Sequence, residues 1–279
     1  AMKSIAPVVF DSVTWVVLLN SSEEVLSRDF GRLCLERLPG DALGALVFET
    51  GGRLDERFTL VTSRKGRATF RLRVEGRGAH AGSQHHRGAN AVVQISEIIR
   101  RIADLTDYAN DLTFNVGTVS GGTVVNRVPH FASAEIEMRA FSPEVFNAGR
   151  EALLALNGQT TVRSAEDQFP CRVSIEVAEE TVPWPRNEAT DRLFALWREA
   201  ASPLGFKVLR EERGGVSDGN YLWHRLPCID GLGPCGDNAH CSESSSDGSK
   251  QPEHLDVGSV VPKALLNAMA LVRLVAGAG

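Results

Sequence analysis

The chain has 279 residues, 43% of them hydrophobic, and a formal net charge of −5. That length allows one large or two ordinary domains, and the absence of a basic surplus argues against nucleic acid or an anionic membrane surface as partner. No apolar run reaches the about 20 residues that span a bilayer, and the first residues lack the charged-then-apolar order of a secretion signal. Five cysteines without a C-x-x-C pair favour reduced thiols. We therefore expect a soluble, cytoplasmic globular protein.

An apolar run near the start of the chain ends in two adjacent carboxylates. Residues 15–19 predict a strand buried on both faces of a mostly parallel sheet. Glu23 and Glu24 follow at its carboxyl end, where open α/β sheets bind their ligands. Neighbours on an extended chain point apart, so one Glu can ligate a metal while the other reaches a bound water. The alternative is a helix start, in which Ser21 and Ser22 cap the helix and both acids face its positive end.

A second strand also delivers a carboxylate. Residues 28–38 have the spacing of an amphipathic helix, and residues 43–48 form the next short apolar strand, which Glu49 follows directly. The tips of neighbouring parallel strands converge on one crevice. Two such units ending in Glu therefore favour a shared site over two unrelated helix caps.

The periodicity changes near residue 63 and predicts an inserted domain. Residues 67–75 alternate polar and apolar side chains, which is typical of a strand with one wet face. The elements that follow are a helix, two strands, a helix and a strand, at residues 89–105, 112–118, 133–141, 143–156 and 171–178. This β-α-β-β-α-β order is that of a ferredoxin-like split βαβ sandwich. We predict that it occupies residues 63–182.

The outer parts of the chain, 1–62 and 183–279, are predicted to build one α/β domain with a mostly parallel sheet flanked by helices. Its second part reads as a helix, a short strand, a helix, a strand and a closing amphipathic helix, at residues 188–203, 207–209, 217–223, 227–229 and 257–276.

Two histidines lie in loops that present side chains. His80 stands among small residues after the first strand of the inserted domain, and His240 follows the strand at 227–229 and its extension. Each could instead be a loop histidine bonded to nearby backbone. Together, Glu24, Glu49 and His240 form an O, O, N set that zinc accepts, and an open position on such an ion generates a nucleophilic water. Cys241 is a rival soft ligand, but neighbours on an extended loop point apart.

Seven segments in chain order carry a resemblance. They are NSSEE, FETGG, GRGAHAGSQHHRGANA, NVGTVSGGTVVNRVP, AEIEMR, EERGGVSDGNY and GDNAHCSE. Across nearly all 279 residues the chain resembles the two-zinc exopeptidase and amidohydrolase superfamily of glutamate carboxypeptidase, aminoacylase and succinyl-diaminopimelate desuccinylase. The resemblance implies a zinc-peptidase catalytic domain interrupted by a lid, a homodimer formed through that lid, and a small peptide or N-acyl amino acid as substrate.

The resemblance also implies roles for individual residues of the outer domain. Glu23 would be the general base that activates the zinc-bound water. Glu24 and His240 would bind one zinc, and Glu49 would bind the other. Asp218 matches the family pattern for substrate binding, although it could equally cap the helix beside it.

In the lid, His80 would reach the partner subunit's site and stabilise the oxyanion, a task that requires donor or cationic groups. Asn126 and Arg139 would hold the substrate carboxylate, for which Arg provides a bidentate grip. Gly215, in the outer domain, belongs to the turn that the family places beside the substrate.

One departure from the family qualifies the zinc site. Related enzymes carry a His-x-Asp strand end and a bridging Asp upstream of the Glu-Glu pair, whereas here no histidine precedes His80 and Ala1 stands where the bridging Asp would be. The catalytic domain is thus expected to be N-terminally incomplete. Without a bridge two cations repel, so we expect one zinc held weakly or none. A non-catalytic, dimeric ligand-binding descendant of the family is the alternative to a hydrolase that cleaves a C-terminal-type or N-acyl amide bond.

Overall fold

The computed structural model describes residues 1–22 and 28–277 and divides the chain into two compact units. Unit 1 comprises Ala1–Arg64 with Trp184–Gly279, and unit 2 comprises Lys65–Pro183. The helices are α1 (Met2–Ile5), α2 (Pro7–Asp11), α3 (Arg28–Arg37), α4 (Ala91–Ala103), α5 (Pro143–Leu154), α6 (Glu188–Ala201), α7 (Gly219–Leu222) and α8 (Val260–Ala276). The strands are β1 (Ala45–Leu46), β2 (Gly52–Leu54), β3 (Arg57–Arg64), β4 (Gly66–Glu75), β5 (Thr113–Gly121), β6 (Phe131–Ala140), β7 (Arg172–Thr181), β8 (Lys207–Arg213), β9 (Cys228–Ile229), β10 (Gly236–Asp237) and β11 (His254–Leu255).

Unit 2 has the predicted β-α-β-β-α-β order, which is confirmed. Its strands form one antiparallel sheet in the order β5-β6-β4-β7. The alternating side chains of β4 bury Ala68, Phe70, Leu72 and Val74 in a core shared with residues of α4 and α5. The side chain of Asn90 caps α4 by accepting the backbone N–H groups of residues 92 and 93. Strand period and helix caps therefore act together to specify this unit.

Unit 1 is an α/β assembly, as predicted. β1 pairs in parallel with β9, and β3 lies between β2 and β8, pairing in parallel with β8. Against these strands α6 and α8 pack through a core that includes Leu60, Trp197 and Leu266. β3 was not predicted, and it is buried along almost its whole length.

The predicted strand at residues 15–19 is wrong. Residues 14–20 adopt no regular secondary structure and pair with none of the described strands. Val17 is 76% and Leu19 87% exposed. The Trp15 ring stacks on Phe10, and its Nε1 donates to the Phe10 carbonyl at 2.9 Å. An apolar run becomes a buried strand only where a neighbouring ladder satisfies its backbone, and no described strand supplies one.

α8 corrects the expectation that no segment is long and apolar enough to cross a membrane. By length and composition alone, the helical segment Val257–Ala276 is long and apolar enough to do so. In unit 1, however, one face of this helix carries polar side chains into the core. Lys263 Nζ donates to the Gly231 carbonyl at 2.7 Å, and Asn267 joins the Leu232 carbonyl to the Trp197 indole, both at 2.9 Å. This face of α8 is therefore built to pack on the strands and α6.

A buried ion pair closes the end of β3. Arg64 Nε donates to Asp230 Oδ2 at 2.8 Å, with the two side chains 5% and 0% exposed. Ser217 Oγ donates to the same oxygen at 2.7 Å, and the Gly231 N–H donates to the other. Arg64 Nη1 also donates to the Gly215 carbonyl at 2.9 Å. The pair thereby ties β3, the end of β9 and the loop before α7 to one another.

The Lys263 ammonium should make stability depend on pH. Burial lowers its pKa from 10.5 to about 8, so between those values the unfolded chain binds more protons than the folded one and stability rises with pH. Relative to Lys263→Met, we expect the unfolding free energy of the native chain to increase by up to about 3 kcal/mol from pH 7 to pH 10.5. Urea unfolding at each pH measures this. A difference in unfolding free energy between the native chain and Lys263→Met that stays constant from pH 7 to pH 10.5 would contradict this prediction.

Removing one partner of the buried pair should strongly destabilise unit 1. Arg64→Met leaves the Asp230 carboxylate buried without its cation, and we expect a loss of about 3–5 kcal/mol in urea unfolding. The matched control is Arg100→Met, because the Arg100–Asp104 pair is exposed, with 3.0 Å between its charged atoms. That change should cost at most about 1 kcal/mol. Equal losses of unfolding free energy in the two variants would show that the buried pair stabilises unit 1 no more than an exposed pair does.

Candidate functional site

Glu49 lies at the carboxyl end of a parallel strand pair. Beyond β1 the chain continues beside the extension of β9. The Gly233 N–H donates to the Glu49 carbonyl at 2.9 Å, and the Gly51 N–H donates to the Pro234 carbonyl at 2.8 Å. Gly51 and Cys235 close this ladder as a parallel bridge. The predicted strand tip is thus present, with Glu49 half-buried.

His240 follows the neighbouring strand. After Cys235 the chain forms β10, and three residues later His240 has a left-handed backbone with φ 65° and is exposed. The next residue, Cys241, closes a turn by donating its N–H to the Asn238 carbonyl at 2.9 Å. Glu49 and His240 therefore belong to the carboxyl ends of two adjacent parallel segments, the place where α/β sheets collect ligand-binding groups.

A buried cation lies beneath the Glu49 strand end. A Cβ on Gly51 would stand 2.8 Å from Lys263 Nζ and 2.6 Å from the Gly233 carbonyl oxygen, so only glycine fits there. Sequence reasoning missed Lys263. Its signal was a basic residue within the apolar helix, four positions before Asn267 and hence on the same face.

A second cation holds the chain just after Glu49. Arg213 Nη1 donates to the Thr50 carbonyl at 2.7 Å, and Arg213 Nε donates to Glu211 Oε1 at 2.7 Å. Although burial acts to raise it, hydrogen bonds from Arg213 and Thr59 bring the pKa of Glu211 below its ordinary value. β8 thus contributes a charged pair, not predicted from the sequence, that fixes the turn leading into β2.

Glu23 and Glu24 lie outside the described residues, but the chain leading to them is anchored. Asn20 Nδ2 donates to Asp218 Oδ1 at 3.1 Å, and the Ser22 N–H donates to Asn20 Oδ1 at 3.0 Å. Asp218 is the N-cap residue of α7, yet its side chain makes no capping hydrogen bond. Burial, together with the nearby charge of Asp230, raises the Asp218 pKa. Its side chain therefore serves to fix the Asn20 segment.

Gly215 lies in the same loop and offers its carbonyl to Arg64. The described ranges 1–22 and 28–277 contain no cluster of three or more His, Cys, Asp or Glu residues able to hold a metal ion. Of the predicted zinc ligands, Glu49 and His240 are thus placed on neighbouring segments, while Glu24 falls outside what the structure describes.

In unit 2 the structure brings His80 and Asn126 together. The Ala81 N–H donates to the Asn126 carbonyl at 2.9 Å, and both His80 and Asn126 are exposed. The His80 Nδ1 accepts the backbone N–H groups of Gly82 at 3.1 Å and Ser83 at 3.2 Å. An imidazole whose Nδ1 accepts carries its proton on Nε2, so the exposed nitrogen is a hydrogen-bond donor.

Arg139 lies elsewhere. It pairs with Arg67 at one end of β4 and β6, whereas His80 follows the other end, where Glu75 pairs with Phe131. The eight residues of strand between these ends span about 27 Å. Arg139 Nε also donates to Glu137 Oε1 at 2.6 Å. Within one unit 2, therefore, Arg139 does not share a small ligand with His80.

Comparison with known proteins shows that the chain is similar to exopeptidases and amidohydrolases. Residues 62–160 match the family described as Peptidase dimerisation domain. The chain is 29% identical over 268 residues to carboxypeptidase G2 of Pseudomonas, covering 94% of this chain and 59% of that protein. It is 26% identical over 213 residues to succinyl-diaminopimelate desuccinylase of Bordetella petrii, covering 73% of this chain and 50% of that protein. The chain thus spans between half and three fifths of the length of these relatives.

The fold has solved counterparts. Aminopeptidase PepT from Bacillus cereus superposes with a TM-score of 0.69 at 20% identity, covering 91% of this chain and 62% of that one. At that identity the likeness establishes the fold, and it confirms the predicted α/β architecture with its inserted domain. Taken together, the sequence matches support the resemblance of the chain to the exopeptidase and amidohydrolase superfamily of glutamate carboxypeptidase, aminoacylase and succinyl-diaminopimelate desuccinylase.

Proposed function

We propose that this protein is a zinc-dependent metallopeptidase or amidohydrolase that cleaves a C-terminal-type or N-acyl amide bond of a small, carboxylate-bearing substrate. The observation that carries the proposal is the parallel ladder that sets Glu49 and the segment leading to His240 side by side. Carboxypeptidase and desuccinylase relatives support the same reaction class.

The residues that would hold zinc are Glu24, Glu49 and His240. Their carboxylate oxygens and imidazole nitrogen are donors that zinc accepts, and the strand-end position of Glu49 and His240 fits such a site. When bound, zinc supplies a nucleophilic water near neutral pH and polarises the substrate carbonyl. We infer that Glu23 acts as the general base that takes a proton from this water.

The role of the unit 2 residues follows from their hydrogen bonds. His80 presents Nε2–H, the kind of donor that a developing oxyanion requires, because its Nδ1 is held by two backbone N–H groups. Asn126, on the facing segment, offers an amide for the substrate carboxylate. Gly215 and Asp218 would shape the substrate side of unit 1, where Asp218 fixes the segment that leads to Glu23.

Unit 2 is proposed to form a homodimer. β5 is an edge strand of its sheet, and Val119 on this strand is 58% exposed. An apolar edge strand in contact with solvent presents unpaired backbone N–H and C=O groups, and these favour pairing with another chain. The match of residues 62–160 to a dimerisation domain supports a dimer formed by this unit.

The zinc proposal predicts that two substitutions weaken metal binding. Glu49→Gln and His240→Ala each remove a ligand, and we expect zinc affinity in equilibrium dialysis to fall at least about tenfold, or about 1.4 kcal/mol. Hydrolysis of a panel of N-acyl amino acids and dipeptides should fall with it. His254→Ala, which removes another exposed histidine of unit 1, is the matched control. The proposed site is refuted if all three variants bind zinc like the native chain. Tight binding of an N-acyl amino acid without turnover would indicate a ligand-binding protein rather than a hydrolase.

The dimer proposal predicts an effect confined to one sheet edge. Val119→Asp introduces a charge on β5 that would have to be desolvated on pairing, so dimer dissociation should increase at least about tenfold in sedimentation experiments. Val177→Asp on β7, the opposite edge, should leave the dimer intact. A native chain that sediments as a monomer at micromolar concentration would refute the proposal.

A further inference from the structure

A charged pair lies directly against the backbone that follows Glu49. A Cβ on Gly52 would collide with Thr59 Oγ1 and would lie 2.7 Å from Glu211 Oε2. The same Cβ would lie 3.1 Å from Arg213 Nη2. The missing side chain at Gly52 therefore leaves the space in which Glu211 and Arg213 meet the chain just beyond Glu49.

The Arg213 guanidinium is oriented by Glu211. Arg213 Nε donates to Glu211 Oε1 at 2.7 Å, and Nη2 donates to Oε2 at 3.0 Å. The two residues are two positions apart on β8 and therefore lie on one face of the strand, with side chains 22% and 31% exposed. Two hydrogen bonds to one carboxylate fix the plane of the guanidinium. The remaining Nη1 is thereby directed at the Thr50 carbonyl, 2.7 Å away.

The peptide group between Thr50 and Gly51 is held at both ends. Its carbonyl accepts from Arg213, and its N–H donates to the Pro234 carbonyl at 2.8 Å. Because a peptide group is planar, contacts at its two ends fix its orientation. The carbonyl of Glu49 accepts a hydrogen bond in the ladder with the extension of β9. The Glu49 side chain therefore leaves a backbone that is fixed from β8 on one side and from the extension of β9 on the other.

We propose that Arg213 is a positioning residue for Glu49. This inference rests on the proposed function, in which Glu49 is a zinc ligand. Groups of a binding site must be held within about 0.5 Å of their working geometry. Side chains that orient a metal ligand without touching the metal typically contribute about 10- to 100-fold to metal affinity. Arg213 acts through the Thr50 carbonyl, and Glu211 holds it in the orientation that this contact requires.

The sign of the effect on zinc affinity separates positioning from electrostatics. Arg213 is a cation in contact with the residue next to Glu49. On charge alone, its removal should tighten the binding of another cation there, because like charges repel. Positioning has the opposite consequence, since without Arg213 the Glu49 carboxylate loses its fixed direction. Weaker zinc binding after the loss of a positive charge is therefore evidence for positioning.

The experiment measures the full chain with and without metal. Equilibrium dialysis gives the zinc affinity, and the visible absorption of bound Co²⁺ reports the coordination geometry. In the metal-free chain, hydrogen exchange of the Gly51 amide is compared with that of Val47, which donates to the Ile229 carbonyl at 2.9 Å in the same ladder. The ratio of the two exchange rates corrects for a change in overall stability.

Arg210→Met is the matched control for Arg213→Met. Arg210 lies on the opposite face of β8 and pairs with Asp191 at 3.0 Å, with side chains 31% and 30% exposed. It thus removes a similarly exposed ion pair from the same strand.

We expect Arg213→Met to speed exchange at Gly51 about tenfold relative to Val47 and to weaken zinc binding about tenfold or more. The Co²⁺ spectrum of this variant should differ from that of the native chain. Arg210→Met should leave the exchange ratio, the zinc affinity and the spectrum unchanged.

The inference is overturned if Arg213→Met leaves the exchange ratio unchanged. It is also overturned if the native chain binds zinc and Arg213→Met binds it as tightly or more tightly. A native chain that binds no zinc but shows the expected exchange ratios would refute the zinc site and leave Arg213 as the residue that fixes the chain after Glu49. The two failures are therefore distinguishable.

Discussion

The arrangement of unit 1 depends on the burial of one carboxylate. Asp230 is completely buried, and a buried charge is tolerated only when donors surround it. The donors come from three places in the chain: Arg64 at the end of β3, Ser217 before α7, and the backbone of Gly231. Satisfying this one group fixes the loop that carries Asp218, and through Asn20 the segment that leads to the Glu23–Glu24 pair. Asp218 and the segment at Asn20 are thus positioned from inside the core.

The sequence predicted unit 2 better than unit 1, for a physical reason. The strands of an antiparallel sheet with one solvent-exposed face alternate polar and apolar residues, as β4 does with buried residues at every second position. β3 has no such signal. It is buried on both faces, yet Thr59, Thr62, Ser63 and Arg64 are among its buried residues, so composition does not distinguish it from a loop. The polar side chains are accommodated by partners distant in sequence, such as Glu211 for Thr59. Local pattern cannot reveal partners of that kind.

The same contrast between local sequence pattern and long-range pairing applies to the predictions for the candidate site. Glu49 was predicted as a strand tip because strand ends in parallel sheets follow a general rule, and its ladder is present. The run at residues 15–19 was predicted from apolarity alone, and apolarity does not state which ladder a strand joins. His80 and Asn126 were assigned by resemblance and do lie on facing segments. Arg139 was assigned in the same way; the register of β4 and β6 places it a sheet length from the His80 of its own unit, and its role stays a prediction. Register is set by pairing across the whole sheet, which a motif does not encode.

Both units place a basic side chain against a glycine beside a candidate site residue, and burial decides what each cation does. Lys263 meets Gly51 deep in unit 1, where its Nζ donates a hydrogen bond to the Gly231 carbonyl and burial lowers its pKa to about 8. Its charge is committed to structure, because no ligand can reach it without opening the core. Arg127 meets Gly78 at the surface of unit 2 and has water on its other side. The glycine leaves the space in which this guanidinium lies, and solvent keeps the charge hydrated, so the same kind of contact buries one cation and leaves the other at the surface.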